Sequence, residues 1–453
     1  MNILESIVQR LSQEALSSSF ILHYEIYAED RDSALLTSCL DSRGRWMGEI
    51  NKNVSREIDI ACQMWTKDMR FAHHRFVATP EMELSAVWQD MEKGANKIEN
   101  GIFERSHIRR EVRNTGMEIW DPRYPNITDS DRKDVIDWNM EVIKNTSSRA
   151  KGKEFRLKET QMFRMFVSSD GRLFNEKSTH FSLYGEVELQ VRPPRRMMEL
   201  HTSRHFADVA SRPISVGIVR SLDSGERLTS NLEEQYTVVF ESKLIAGLLQ
   251  SIVGCFSLEK IQNKESFLHR YIGKRIGSTK LHVIDDASLP NGVNTRAFDA
   301  RGIPSVPLTL ICEGKIHDTY ISMDAAQNTD LQPTGHMGLD GELWPGNIIV
   351  KAGRRSLNMI LNADEVVLFC THLLEPIQFD ESTGDIEMLI GCSMLREDKR
   401  RRLHGARLKT HLVTLFDSID EVVSTQRRID AVDASDWILR NIVFEFLEED
   451  PEI

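Results

Sequence analysis

The stretch Tyr236-Thr-Val-Val-Phe240, followed by Glu241-Ser-Lys-Leu-Ile-Ala-Gly-Leu-Leu-Gln250, decides how the second half of this chain folds. Its first five residues are mainly β-branched and aromatic, which predicts a short buried strand. The residues after it place leucine and isoleucine at helical spacing behind a Glu241-Ser242 cap, so we predict a helix that ends near residue 257. A strand that leads directly into an apolar helix indicates a mixed α+β domain.

Short apolar runs separated by turn signals follow this helix. Dipeptides such as Asn291-Gly292 and Glu313-Gly314 tolerate the positive φ of tight turns. We predict strands near residues 281–285, 307–312, 316–323, 347–351, 365–370, 385–395 and 407–416. The second half is therefore expected to consist of short strands and turns around one helix.

The first half of the chain has a different pattern. Helical spacing of apolar residues predicts helices over 3–16, 80–103 and 128–146. From about residue 160 the period changes to two, and Ser168-Ser-Asp-Gly171 is a hairpin signal. We therefore predict an α+β protein of two domains, a helix-rich N-terminal domain with an antiparallel sheet over 1–210 and a β-rich domain over 211–453.

Composition and charge exclude several classes of protein. The 57 Lys and Arg against 69 Asp and Glu give a net charge of −12, which argues against a nucleic-acid or membrane-surface partner. The one basic run, Arg396–Arg402, is interpreted as a solvated hairpin, with nucleic-acid contact as the alternative. Six sparse cysteines without a CxxC pair, and an N-terminus without a signal-peptide pattern, predict a cytoplasmic location.

Three groups of residues are candidates for chemistry on their types alone. His201 and His205 have the i, i+4 spacing of a zinc pair, but the connection around them favours exposed polar residues. Cys370, His372 and Cys392 allow a thiolate–imidazole pair, although the apolar residues before Cys370 favour a buried structural cysteine.

The third group is the segment 285–304, which begins with two aspartates and turns at Asn-Gly. It presents Arg296, Asp299 and Arg301 close together. Physical reasoning alone predicts a structured loop with an ion pair, and leaves a functional site open.

The order of these pieces resembles the TldD/TldE family, also called the PmbA or "modulator of DNA gyrase" family. The resemblance runs from about residue 70 to the C-terminus. The pieces that carry it are, in chain order, Arg75–Thr79, Val167–Gly171, Tyr236–Phe240 with its helix, Glu265–Leu268 with Gly273, Val283–Asp286, Arg296–Asp299 with Gly302–Pro304, Gln332–Gly335, Asn347–Gly353 and Asp380–Asp385. It implies a C-terminal domain of strongly curved antiparallel strands around one central helix.

The resemblance also separates two subunit types. TldD-type subunits carry His-Glu-x-x-x-His on the helix after the central strand and a further cysteine ligand, whereas TldE-type subunits lack these ligands. Aligning Val238–Phe240 with the family strand puts Gln250, Ser251 and Cys255 at the first His, the Glu and the second His. An amide is a poor zinc ligand, and a serine hydroxyl cannot act as the carboxylate base. The resemblance therefore implies a TldE-type chain without a metal or cofactor of its own.

What this implies is a non-catalytic subunit in a heterodimer with a TldD-like zinc metallopeptidase subunit. The pair would enclose a chamber for extended or unfolded peptides and could mature a ribosomally made peptide product. The residues expected to line the chamber are Arg296, Asp299, Thr334 and His336.

Three alternatives stay open at this point. The chain could be a self-sufficient enzyme that uses Cys255, His336 or the carboxylate cluster, or a peptide-binding scaffold. It could also belong to a complex that modifies its peptide without hydrolysis.

Overall fold

A computed structural model gives the fold of this chain. It describes residues 3–41, 45–79, 82–97, 116–146, 148–190, 195–211, 213–215, 218, 236–327, 329, 331–361, 366–396, 399–403 and 405–447. About 24% of the chain is helical and 44% is strand, which confirms the predicted α+β class. None of the helices in the described ranges is long and apolar enough to cross a membrane.

The N-terminal part is built on one antiparallel sheet. Among the described residues its strands are β1 (Ile21–Leu40), β2 (Trp46–Thr66), β3 (Arg70–Val77), β4 (Asn96–Lys97), β5 (Ala150–Ser168), β6 (Leu173–Leu189) and β7 (Arg195–Ser203). Their order is β4-β3-β2-β1-β5-β6-β7. The long strands β1 and β5 pair in the middle of the sheet, with Ile26 opposite Val167.

Helices cover one face of this sheet. They are α1 (Ile3–Ser17), α2 (Val87–Gly94), α3 (Asp129–Thr146) and the short α4 (Phe206–Ala210). Apolar residues of α1 and α2 form a core with β1 and β2, and those of α3 form a second core with β5 and β6. The helices predicted over 3–16 and 128–146 from amphipathic spacing are therefore confirmed.

Two expectations for this part need correction. The helix predicted over 80–103 is a 3₁₀ turn, Leu84–Ala86, followed by α2, which ends at Gly94 because the chain then becomes extended; residues 80, 81 and 98–103 lie outside the described ranges. The prediction of a helix-rich domain also underestimated the strand content of this part, since β1 and β2 alone contain 20 and 21 residues. Their charged residues concealed a strand pattern: Glu25 and Asp30 of β1 are buried and ion-paired, whereas the charged residues of β2 before Ile58 lie at the surface.

The C-terminal part is built on a second sheet. In the described ranges its strands are β8 (Thr237–Phe240), β9 (Val283–Asp286), β10 (Leu308–Cys312), β11 (Lys315–Ile316), β12 (Asn347–Val350), β13 (Val367–Leu373), β14 (Gln378–Phe379), β15 (Asp385–Arg396), β16 (Lys399–Arg402), β17 (Ala406–His411), β18 (Ile419–Ile429), β19 (Val432–Leu439) and β20 (Glu445–Phe446). The main order is β11-β10-β9-β12-β19-β8-β13-β15-β17-β20. The sheet is mixed, not purely antiparallel as expected, because β8 with β13 and β12 with β19 are parallel pairs.

The predicted central helix is α5 (Ser242–Ile252), which starts directly after β8 and continues as a 3₁₀ turn to Phe256. The shorter helices are α6 (Leu258–Gln262), α7 (Met323–Gln327), α8 (Leu357–Ile360) and α9 (Leu412–Asp417). Leu244, Leu248 and Ile252 of α5 are buried in the main core of the second sheet. The sheet thus wraps around one buried apolar helix.

Two of the predicted strands end earlier than expected. The one over 316–323 stops at Ile316, and Met323 begins α7. The one over 407–416 stops at His411, whose Nδ1 accepts a hydrogen bond from the Val413 amide and so caps α9. A side chain that satisfies a free amide at a helix start favours the helix over a longer strand.

The two sheets meet through the segment 285–304. Phe298 is buried against Tyr27 and Phe174 of the first sheet, with ring centroids 6.4 and 5.7 Å apart. The predicted boundary at residue 210 falls between the last strand of the first sheet and β8. Since most residues from 212 to 235 lie outside the described ranges, its exact position stays a prediction.

Candidate functional site

The three positions aligned with the metal motif lie on α5 and the 3₁₀ turn after it. Gln250 and Ser251 are exposed to solvent, whereas Cys255 is fully buried. The Ser251 hydroxyl donates a hydrogen bond to the Gly247 carbonyl at 2.9 Å, so it is bound to its own helix. The side chains at these positions are therefore an amide, a hydroxyl bonded to backbone and a thiol in the core.

Burial controls the chemistry of Cys255. It raises the pKa of the thiol well above its ordinary value, and the nearby Glu381 carboxylate acts in the same direction. Cysteine reacts and binds metals as a thiolate. At neutral pH this residue is a neutral, apolar core side chain.

A hairpin arm, residues 371–384, lies along the open side of α5. A Cβ added to Gly247 would meet the Leu373 side chain, and one added to Gly254 would meet a Glu381 oxygen at 3.0 Å. Lys260 of α6 forms an ion pair of 2.5 Å with Glu381, and this pair fastens the arm at the end of α5. The glycines on this side of the helix allow the arm to pack closely against it.

These residues do not fit a catalytic zinc site. Such a site needs three protein ligands that converge on one point with an open position. Within the described ranges, no group of three or more His, Cys, Asp or Glu side chains is arranged to hold a metal ion. The three positions aligned with the metal motif supply one possible ligand, the buried thiol of Cys255. The cation beside them is the Lys260 ammonium group.

Arg296, one of the predicted chamber residues, is buried between the two sheets. Its guanidinium donates hydrogen bonds to the carbonyls of Asn294 and Pro345, both at 3.1 Å, and to that of Trp344. It also lies 4.2 Å from the Trp344 ring centroid, a cation–π distance. Burial lowers the pKa of Arg296 to about 10, so it stays charged at neutral pH.

Asp299 is also buried, and its carboxylate organises the turn that follows it. One oxygen accepts the amides of Arg301 and Ile303, both at 2.9 Å, and the other accepts the Met337 amide at 3.0 Å. Burial raises the pKa of Asp299 despite these three hydrogen bonds. Neither Arg296 nor Asp299 is exposed in the isolated chain, and each binds backbone groups of neighbouring loops.

His336 and Thr334 belong to a third buried group. Thr334 Oγ1 lies 3.2 Å from His336 Nδ1, and His336 Nε2 lies 3.8 Å from an Asp285 oxygen. Asp285 also accepts a 2.5 Å hydrogen bond from Tyr320. Burial would raise the pKa of Asp285, but His336 and Tyr320 outweigh it and the pKa is lowered. The connectivity resembles a catalytic triad, yet all four side chains are buried and Thr334 Oγ1 is engaged with the Ile321 backbone.

The structure therefore brings Asp285, Arg296, Asp299, Thr334 and His336 into one buried region between the sheets. It separates them from Gln250 and Ser251, which face solvent on α5. Their expected role in lining a peptide chamber stays a prediction, and their contacts in the single chain are those of residues that hold loops in place.

Sequence reasoning missed a set of buried ion pairs on the face of the first sheet that meets this region. Arg172 donates to Glu25 at 2.7 Å, and Arg301 reaches the other Glu25 oxygen at 3.2 Å. Arg164 pairs with Glu176 at 2.9 Å. The period-two alternation of polar and apolar residues from His23 to Arg31 was the signal that could have placed these charges on one strand face.

The histidine pair is half-buried and not exposed as expected, whereas the cysteine pair is buried as the structural alternative predicted. His205 Nε2 contacts the Glu118 carbonyl at 2.9 Å, and His201 lies on strand β7, so the pair does not share one face of a helix. Cys370 and Cys392 are buried. Strands β15 and β16 form the predicted hairpin at the basic run, whose side chains from 396 to 402 lie outside the described set.

A surface groove of about 820 Å³ lies on the second sheet near the arm. Its walls come from β14, β15 and β17 and include the apolar residues Ile377 and Phe379. Asp380, Asp385 and His411 add polar groups. The His411 ring is engaged on both nitrogens, by the Thr383 carbonyl and the Val413 amide.

Comparisons with known proteins agree with this architecture. Residues 233–445 match the model of the PmbA/TldA metallopeptidase C-terminal domain. Metalloprotease PmbA of Escherichia coli O157:H7 is 26% identical over 101 residues, a match that spans 22% of each chain.

Solved structures resemble the whole chain in fold. A putative modulator of DNA gyrase from Bacteroides thetaiotaomicron VPI-5482 has a TM-score of 0.80 at 15% identity, covering 98% of this chain and 99% of that one. A protein of the same description from Thermotoga maritima MSB8 gives 0.80 at 15%, covering 96% and 98%. TldE from Thermococcus kodakarensis gives 0.79 at 14%, covering 98% and 100%. The C-terminal part of this chain is therefore similar to the PmbA/TldA metallopeptidase C-terminal domain, and the chain shares its fold over its length with these solved structures.

Proposed function

We propose that this chain is a non-catalytic, TldE-type subunit that works with a TldD-like zinc metallopeptidase subunit on extended or unfolded peptides. The observation that carries the proposal is the chemistry on α5: Gln250 and Ser251 are exposed and Cys255 is a buried thiol. A metallopeptidase needs a base and a bound metal at these positions. The family activity would then reside in a partner that supplies both.

The same residues argue against a self-sufficient enzyme. Burial raises the pKa of Cys255, so this thiol is a poor nucleophile at neutral pH. The side chains of the His336 group are buried in the single chain. The contribution of this chain would be a chamber wall and a path for an extended peptide, and we place the complex in the cytoplasm.

Peptide maturation for a natural product is the finer form of this proposal. A chamber selects by excluding folded proteins, whereas an extended chain can add to a sheet edge through backbone hydrogen bonds. This selection requires no metal in the wall-forming subunit. It therefore agrees with the substitutions on α5.

The test is to co-express this chain with the TldD-like protein of the same organism and to measure mass, zinc and peptide hydrolysis. We expect a heterodimer with about one zinc ion, as in a mononuclear catalytic site. Replacing the partner's motif histidines should remove the zinc, whereas Cys255→Ala in this chain should leave it in place.

Three other outcomes would contradict the proposal, and each would support a different function. Zinc or hydrolysis that purifies with this chain alone would make it the enzyme. Peptide binding without turnover in the presence of the partner would indicate a scaffold. A peptide product of changed mass but intact backbone would indicate a modifying complex.

A further inference from the structure

Two cysteines outside the α5 motif face each other across neighbouring strands. Cys370 of β13 and Cys392 of β15 are directly opposite in an antiparallel pair. Their sulfur atoms lie 3.7 Å apart, and the side chains are 0% and 4% exposed. No function assigned above uses either thiol.

The geometry around these thiols is close to that of a disulfide. A disulfide requires a sulfur–sulfur distance of about 2.05 Å and Cα atoms about 4.4–6.8 Å apart. Residues directly opposite on antiparallel strands have Cα atoms about 4.5–5.5 Å apart, which lies within that range. A register shift directly after Cys370 gives β13 local freedom to close the remaining distance between the sulfurs.

We propose that Cys370 and Cys392 are a modification site, at which thiol–disulfide exchange with a small disulfide such as oxidised glutathione forms a cross-strand bond. One cysteine thiolate attacks a glutathione sulfur, which breaks the glutathione disulfide and releases one glutathione. The second cysteine thiolate then attacks the mixed disulfide and releases the other glutathione. The two protein thiols are oxidised, and their two protons end on the two glutathione thiols.

Burial sets the conditions of this exchange. The thiol of Cys370 has a raised pKa because it is buried and lies beside Cys392, so little thiolate is present in the closed structure. Exchange therefore requires β13 to separate from β15 for a moment, and its rate follows that local opening. Once formed, the disulfide is protected from reduction by the same burial.

The bond would fix the base of the hairpin arm that covers α5. The Cys370 carbonyl accepts the amide of Glu241 at 2.9 Å, and Glu241 is the N-cap residue of α5. Beyond Cys370, the chain continues into Leu373 beside Gly247 and Glu381 beside Gly254. A disulfide at this point would limit how far the arm can move away from the helix.

The experiment treats the full chain with oxidised glutathione, blocks the remaining thiols and maps the peptides without reduction. We expect a mass decrease of about 2 Da, loss of two of the six free thiols, and one linked peptide that joins Cys370 to Cys392. Amide hydrogen exchange in β13 should slow by about tenfold after oxidation. Reduction should restore both values.

The matched control removes the two half-exposed thiols. A Cys39→Ser, Cys312→Ser double variant should form the same linked peptide, whereas Cys392→Ala should not. Peptide mapping of the unsubstituted chain decides the question even if Cys392→Ala fails to fold. Glutathione adducts on Cys39 or Cys312 with Cys370 and Cys392 still free, or a disulfide to a different cysteine, would overturn the proposal.

Discussion

At the scale of single residues, several charged side chains of the first sheet lie inside the protein. Glu25 is buried and bound by Arg172 and Arg301, so it joins the first sheet to the segment 285–304. Burial would raise its pKa, but Arg301, His23 and Arg172 outweigh burial and lower the pKa below its ordinary value of 4.5. A buried carboxylate of this kind stabilises the fold only while it is ionised.

Replacing Glu25 by Gln should therefore reduce the free energy of unfolding by about 3–5 kcal/mol at pH 7, because two cations lose their partner. In the unsubstituted chain the unfolded state takes up a proton at higher pH than the folded state. The stability that Glu25 supplies is thus complete above pH 4.5 and is lost as the pH falls below it. Chemical denaturation should show a smaller difference in the free energy of unfolding between the two proteins at pH 3 than at pH 7.

The matched control is Glu57→Gln, since Glu57 pairs with Arg31 at 3.2 Å but its side chain is 50% exposed. Its effect should stay below about 1 kcal/mol at both pH values. Equal effects of the two substitutions would contradict the buried ion-pair argument.

At the scale of elements, the sequence predicted short apolar units well and charged strands poorly. The strand β8, the helix α5 and the turn at Glu313-Gly314 follow from local spacing and turn chemistry. The strands β1 and β2 were not predicted: the alternation from His23 to Arg31 marks one strand face, but it does not show which distant residues pair with its charges. The ion pairs of Glu25 were missed for the same reason. The residues of α5 that align with the metal motif could be identified from the sequence alone.

The turn between β10 and β11 allows a test with a matched control. Gly314 has a φ of +71°, and an added Cβ would clash with the carbonyl oxygens of Gly277 and Ser278. Gly341 has a φ of +76°, but nothing lies within 4 Å of an added Cβ. Both alanine variants are destabilised by about 1–2 kcal/mol, because alanine disfavours the left-handed backbone conformation. Only Gly314→Ala also introduces a steric clash.

We therefore expect Gly314→Ala to lower the free energy of unfolding by about 1–3 kcal/mol more than Gly341→Ala. Urea denaturation of the two variants gives this difference directly. Equal losses would mean that the loop around Gly277 moves freely to accept the methyl group.

At the scale of the whole molecule, the described residues include a buried apolar cluster between the two sheets, with ion pairs and hydrogen bonds around it. Phe298 is the centre of that cluster, with Tyr27 and Phe174 on the opposite side. Phe298→Ala should destabilise the protein by about 3–5 kcal/mol and should split a single calorimetric transition into two, because the sheets lose their coupling.

The control for this prediction is Phe416→Ala. Phe416 of α9 is fully buried in the core of the second sheet, where its ring centroid lies 6.0 Å from that of Trp437. We expect a similar loss of stability, but with the coupling between the sheets retained. Two transitions in this variant as well would show that Phe298 has no special role in joining them.

The order of strands in the second sheet also has a consequence for synthesis on the ribosome. β8 lies between β13 and β19, and Val238, Val239 and Phe240 pair with Leu439, Ile438 and Trp437. The helix α5 emerges long before β19, so its apolar face has no complete core to bury it for most of translation. Folding of this half is therefore slow and late, and the nascent α5 is the segment that a chaperone would need to shield.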